Sequence, residues 1–300
     1  MDRSPVFSLD REIASAPFAA APEKAQKLQT ISKSITLVFD DQRADFSIAA
    51  VTRGDHQFVK ASAGALNLLW CASYAYWLLY QGYIESQRAG GTQYRASEHP
   101  EGAEAVHLYR WALDSVLKPI LGPWPVAAPA PAKSPEPNSS IHVANEIFLV
   151  AVGWILLHEI GHHHLRHAND PIGPTAKQEE FDADRFATDW ILDDVSDPAV
   201  LLKRSLGIAV ANVLLITLDL SRASFESVSH PPSYERFQRN LRERQLREEH
   251  PVHAFGAAML QTTLTTFGVD IHLDLDATFD GFVDDLCFQL HQFAQAKKNG

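Results

Sequence analysis

Beyond residue 60, the apolar positions of this 300-residue chain recur with the period of a helix, and strand-like runs are confined to a short earlier stretch. Residues 35–39 (ITLVF) and 46–51 (FSIAAV) are such runs, and Asp40 to Arg43 between them reads as the turn of a hairpin. A third run at 56–59 can extend it. Helical periodicity then covers 61–88 and 101–117, with Val106, Tyr109, Leu113 and Leu117 on one face of the second. Further helices are expected at 142–167, 177–194, 198–220, 232–248, 251–266 and 280–297. A polar turn at 168–175 and a less regular stretch at 270–278 fall between them. Residues 1–30 are rich in Ala and Pro with little period and read as an extended arm. Residues 119–140 hold seven prolines and cannot build a core. The chain therefore divides into an arm (1–30), a β-hairpin with helices (31–118), a Pro/Ala-rich linker or loop (119–140) and a helical domain (141–300). The loop's place just before the next helix also suits a flap or an inhibitory segment.

Composition narrows the partners. At 46% hydrophobic residues the chain can bury a sizeable core. Its net charge of −11 argues against nucleic acid or an anionic membrane as partner, since both attract basic surfaces. Cys71 and Cys287 are too few for a disulfide framework and suit core positions in a reducing compartment. The N-terminus has no basic start followed by an apolar stretch, so a cytoplasmic location is expected. Three apolar segments, 63–83, 147–157 and 206–218, come nearest to a membrane span. The first carries Asn67, Ser73 and polar-tipped aromatics, and the other two are shorter than the ~20 residues a span needs. No span is expected.

The chemistry concentrates at His158-Glu159-Ile160-Gly161-His162, the end of the apolar run 144–157. Residues four apart share a helix face, so His158 and His162 can offer imidazole nitrogens to one Zn2+. Glu159 then lies beside the metal, placed to take a proton from a zinc-activated water and return it to a leaving amine. Gly161 would keep the helix surface low at the metal. A third ligand is available in residues 179–187 (EEFDADRFA), where Glu180 and Asp184 also share a face. Glu180 is assigned to zinc, and Asp184 to the outer N–H of a ligating His, fixing its tautomer. Glu179 competes with Glu180, and the whole cluster could instead be a solvated helix face.

HEIGH followed by EFDAD resembles the gluzincin metallopeptidases of HtpX type, and Ser229-His230-Pro231-Pro232 with Glu235-Arg236 resembles the His-Pro segment those enzymes carry next. In a chain without a membrane span, the combination is similar to the Lit-type phage-exclusion peptidases over about residues 142–240. HEIGH with EFDADRFATDWIL is also similar to the ImmA/IrrE repressor-cleaving peptidases, and the His-Pro-Pro segment favours the first resemblance. It implies a zincin-like core, a protein substrate cut at a limited site, a phage product as trigger and a role in phage defence. It also implies that His230 donates a hydrogen bond to the oxyanion of the tetrahedral intermediate. Arg236 could assist or pair with a nearby acid.

His163 and His167 form a second i, i+4 pair without an intervening Glu and are expected on the solvent side. Were either to complete a four-ligand site, the zinc would be structural and the chain a binding or sensor module. No Gly-x-Ser-x-Gly elbow, phosphate loop or Cys-x-x-Cys pair is present. The expectation is a mainly helical α+β protein with a zincin-like metallopeptidase core and a small N-terminal β-hairpin or sheet. The expected function is that of a zinc endopeptidase acting on an intracellular protein, with a protein or peptide activator as a further expected partner.

Overall fold

The helix that carries the two motif histidines is wrapped on nearly every side by other elements. The computed structural model describes residues 3–91, 94–167, 173–222, 227–242, 246, 250–269 and 279–299. In chain order these form α1 (Asp10–Ala20), α2 (Ala25–Ile31), β1 (Ile35–Asp40), β2 (Ile48–Arg53), β3 (His56–Ser62), α3 (Ala63–Arg88) and α4 (Pro100–Val116). There follow α5 (Ser140–Leu165), α6 (Pro174–Leu192), α7 (Pro198–Arg222), α8 (Ser233–Arg242), α9 (Pro251–Thr266) and α10 (Phe279–Asn299). The protein is mainly helical with one small sheet near its N-terminus. The polar turn expected at 168–175 is described only from Gly173 onward, and the stretch at 270–278 lies outside the described residues.

Ser139 starts α5, its Oγ accepting the His142 N–H at 3.2 Å. From there the helix is apolar all round, the mark of a helix enclosed by others. It packs against α1, α3, α6 and α7 and meets β2 and β3 near its C-terminal end. Phe148, Trp154, Leu156 and Leu157 are buried, each such side chain contributing about 1.5–3 kcal/mol. Windows of α5 and α7 are long and apolar enough to cross a membrane by length and composition, so both helices outrun the short apolar cores read from sequence. Two thirds of each window is buried within the protein.

Of the expected extended arm 1–30, the described residues from Arg3 onward are not extended. Val6, Leu9, Ile13, Ala16 and Ala20 recur at helical spacing once alanine is counted as apolar, and all are buried. The alanines let α1 lie close to α5. A Cβ added at Gly153 would come within 2.9 Å of the Ala16 carbonyl oxygen and 3.0 Å of the Ala20 Cβ, so glycine is needed at the crossing. Polar contacts fasten the same segment. Arg204 of α7 grips Glu23 through two hydrogen bonds of 2.6 and 2.9 Å, and Lys24 donates to the carbonyls of Asp189 and Trp190 at the end of α6.

The sheet has the order β1-β3-β2, with β1 parallel to β3 and β2 antiparallel to it. The hairpin is thus β2–β3, not the β1–β2 pair read from sequence. Gly54, at φ +58°, makes the tight turn with Asp55, whereas the longer 41–47 connection lets β2 pass over to the far edge. The face of α4 also differs. Ala105, Leu108, Tyr109, Ala112, Leu113 and Val116 are buried, while Leu117 is 55% exposed just past the helix end.

The Pro-rich segment packs at the N-terminal end of α5. Trp124 packs at a steep angle against both Trp70 and Trp111, and Asn145 Nδ2 donates to the Ala132 carbonyl at 2.8 Å. Asn145 lies roughly 20 Å along the helix from His158, and no residue of 119–140 lines the cleft there. A flap position is not observed.

If residues 1–30 are core, Ile13→Ala should cost about 2–4 kcal/mol in urea unfolding. An unchanged midpoint would return the segment to the role of a loose arm.

Candidate metal centre

Four elements deliver the site. The C-terminal turns of α5 present His158 and His162 with their Nε2 atoms 3.1 Å apart. Across from them α6 offers Glu180, whose Oε2 lies 3.5 Å from His158 Nε2 and whose Oε1 lies 3.3 Å from His162 Nε2. These three residues are the group among the described residues that could hold a metal ion, their ligand atoms all lying within 4.8 Å of one another. Glu180 is buried while Glu179, its competitor, lies on the neighbouring face.

Asp184, one turn beyond Glu180, places Oδ1 2.9 Å from His158 Nδ1. The structure therefore brings Asp184 to the outer nitrogen expected from the spacing. Arg236, on α8, donates to both Asp184 oxygens at 2.8 and 2.7 Å, and its Nη1 lies 3.3 Å from Glu180 Oε2. Of the two roles left open for Arg236, pairing with an acid is the one observed. His230 sits in the coil before α8, 56% exposed, with Nε2 3.5 Å from Glu180 Oε1 and Nδ1 2.8 Å from the Ser229 hydroxyl.

Glu159 points to the other wall. The Ala50 N–H of β2 donates to its Oε2 at 2.5 Å, a contact no sequence signal announced. Beneath the ligands, Trp154 stacks on His158 with ring centroids 5.9 Å apart. Its indole N–H donates to Thr188, which donates to Asn240, which in turn donates to Asn212. All are buried, so one polar chain ties α5 to α6, α8 and α7 under the site. The helical residue pattern treats these positions as plain core.

Three expectations change. Gly161 does not face the metal position; a Cβ added there would come within 3.0 Å of the Phe186 ring, so its bare side lets α6 approach. His163 is half-buried and lies with Nε2 3.1 Å from the Phe58 carbonyl of β3, joining helix to sheet. His167 lies with Nδ1 2.9 Å from the outer nitrogen of His162 rather than out in solvent. Among the described residues neither joins the group of His158, His162 and Glu180 that could hold a metal ion, so they do not assemble the four-ligand site of a structural zinc.

Burial and charge oppose each other throughout. Burial alone pushes the His158 pKa down, but Asp184 and Glu180 outweigh it and hold it up at about 10 in the metal-free protein. Burial raises the Glu180 carboxyl, and His158, His162 and Arg236 more than reverse this, leaving it well below the usual range. Asp184 is likewise lowered against its burial, chiefly by Arg236. Glu159 goes the other way, raised by burial that the two histidines only partly offset. The cleft around these groups has a volume of about 1100 Å3 and is walled by β2, the end of α5, α7 and the 227–233 coil.

The Peptidase U49 family matches residues 59–256, which span the sheet's last strand, both ligand helices and α8. The chain belongs to the Peptidase U49 family. A curated relative described as a cell death peptidase, from Escherichia coli (strain K12), is 31% identical over 290 residues, covering 95% of this chain and 96% of its own. No solved structure matches the chain. Membership bears out the Lit-type resemblance rather than the ImmA/IrrE one, and it makes the chain a peptidase by family, with protein as its substrate class.

The raised His158 pKa has a stability consequence of definite sign. Its contribution is fully present below pH 6.5, the ordinary value, and is lost as pH rises through about 10. Chelator-treated protein should therefore show a urea midpoint that falls over this window, with a smaller fall in His158→Gln. Equal slopes for the two proteins would contradict the assignment.

Proposed function

We propose that this chain is a zinc-dependent endopeptidase that cleaves an intracellular protein at a limited site. The observation that carries it is the spacing of the three ligand atoms. At 3.1, 3.3 and 3.5 Å they bracket the about 3.4 Å separating two atoms that each lie ~2.1 Å from a tetrahedral ion. Two imidazole nitrogens facing each other beside a carboxylate repel unless a proton or cation lies between them. His158, His162 and Glu180 would hold Zn2+, which supplies Lewis acidity to the scissile carbonyl and acidifies water. Glu159 takes the proton of the attacking water and passes it to the leaving amine. Burial favours its protonated form, which suits a group that must carry a proton between two steps. His230, with Nδ1 beside the Ser229 hydroxyl and Nε2 3.5 Å from Glu180 Oε1, stands at the edge of the metal position, from where an Nε2–H would donate to the developing oxyanion.

The cleft supports a peptide substrate. Ala50 N–H points at Glu159 and so away from β3; Ile48 and Thr52, two residues to either side, turn their backbone groups to the same free edge. All three line the cleft, and an extended chain can pair with that edge. Family membership and the relative's description as a cell death peptidase support a proteolytic role in cell death; a cytoplasmic place, phage defence and a protein or peptide activator extend this reading through the Lit-type resemblance alone.

Glu159→Gln should keep stoichiometric zinc and lose at least about 100-fold in cleavage, since the ligands survive while the base is lost. Unchanged cleavage with zinc bound would refute the role. Glu180→Ala should weaken zinc binding in chelator competition far more than Glu179→Ala does, and a reversed order would move the third ligand to Glu179.

A further inference from the structure

The two ligating histidines are braced differently. The outer nitrogen of His158 meets a carboxylate, Asp184, whereas that of His162 meets another imidazole, His167, at 2.9 Å with ring centroids 5.0 Å apart. His167 gets there through the way α5 ends. Arg166 takes a left-handed conformation, φ 60° and ψ 40°, and the His167 N–H donates back to the His162 carbonyl at 3.0 Å. The turn reverses the chain and carries the ring of residue 167 back over residue 162. A non-glycine residue rarely adopts this conformation, so the turn is held against a local cost.

The chemistry of the pair assigns its protons. For His162 Nε2 to offer a lone pair to a cation, its Nδ1 must carry the hydrogen, and that hydrogen needs an acceptor. His167 Nδ1 is the atom in place, which puts the proton of His167 on its own Nε2.

We propose that His167 is a positioning residue that fixes the tautomer and ring orientation of His162 for metal binding, and that the left-handed turn at Arg166 is the device that sets it. The inference rests on the metal reading of the site. A histidine at a helix end has a simpler use, as a favourable partner for the helix dipole. The two roles separate by substitution. Lysine keeps a cation at the helix end but has no acceptor; glutamine keeps an acceptor and has no charge.

The test is zinc affinity by chelator competition, with thermal unfolding of the metal-free proteins as a control on folding. His167→Ala and His167→Lys should bind zinc about tenfold more weakly than wild type, and His167→Gln should recover most of the loss, with the metal-free midpoints unchanged. Arg166→Gly, which takes the turn freely, should bind as wild type, while Arg166→Val, which resists it, should follow His167→Ala. Wild-type affinity in His167→Ala, or full affinity in His167→Lys, overturns the inference alone. A wild-type protein that takes up no zinc overturns it together with the metal reading beneath it.

Discussion

One arginine makes the centre tolerable to the fold. Two carboxylates, Glu180 and Asp184, sit buried in an apolar helical core, and an uncompensated buried charge is among the most costly features a protein can carry. Arg236 answers both. It grips Asp184 through two hydrogen bonds and reaches the far oxygen of Glu180, so α8 closes the charge balance opened by α6. A buried ion pair stripped of one partner typically costs about 3–5 kcal/mol, comparable to a large share of a domain's stability. The positions of α6 and α8 are therefore set by electrostatics as much as by packing. The histidines inherit that rigidity through Asp184.

A second constraint comes from beneath. Trp154, Thr188, Asn240 and Asn212 pass hydrogen bonds from one helix to the next, each buried donor or acceptor finding its partner. Left unmade, such groups would cost about 1–3 kcal/mol apiece. The chain is therefore selective for one arrangement of α5, α6, α7 and α8. The stack of Trp154 on His158 carries the arrangement to the ligand ring.

Helical spacing explains why so much of the centre was readable before any coordinates. His158 with His162 and Glu180 with Asp184 are intrahelical relations, fixed by 3.6 residues per turn whatever the tertiary fold. The start of α7 at Pro198 was legible too, whereas α5 and α6 begin at Ser140 and Pro174, two or three residues before the starts read from sequence. What escaped depends on tertiary approach. Ala50 reaches Glu159 only because β2 occupies the sheet edge, and strand order follows from connection length and burial, not from the runs themselves. The N-terminal helix escaped because its contact face is alanine, which adds little to a hydrophobic period yet allows close helix packing. His167 escaped because its place depends on a left-handed turn at an arginine, where nothing in the residue type suggests one.

Arg236 is also the last of the centre's parts in chain order, 78 positions after His158. As the polypeptide leaves the ribosome, α5 and α6 emerge before Arg236, so Glu180 and Asp184 at first have only the histidines of α5 to answer their charge. The centre thus cannot be complete until about four fifths of the polypeptide has been made, however early its two ligand helices appear.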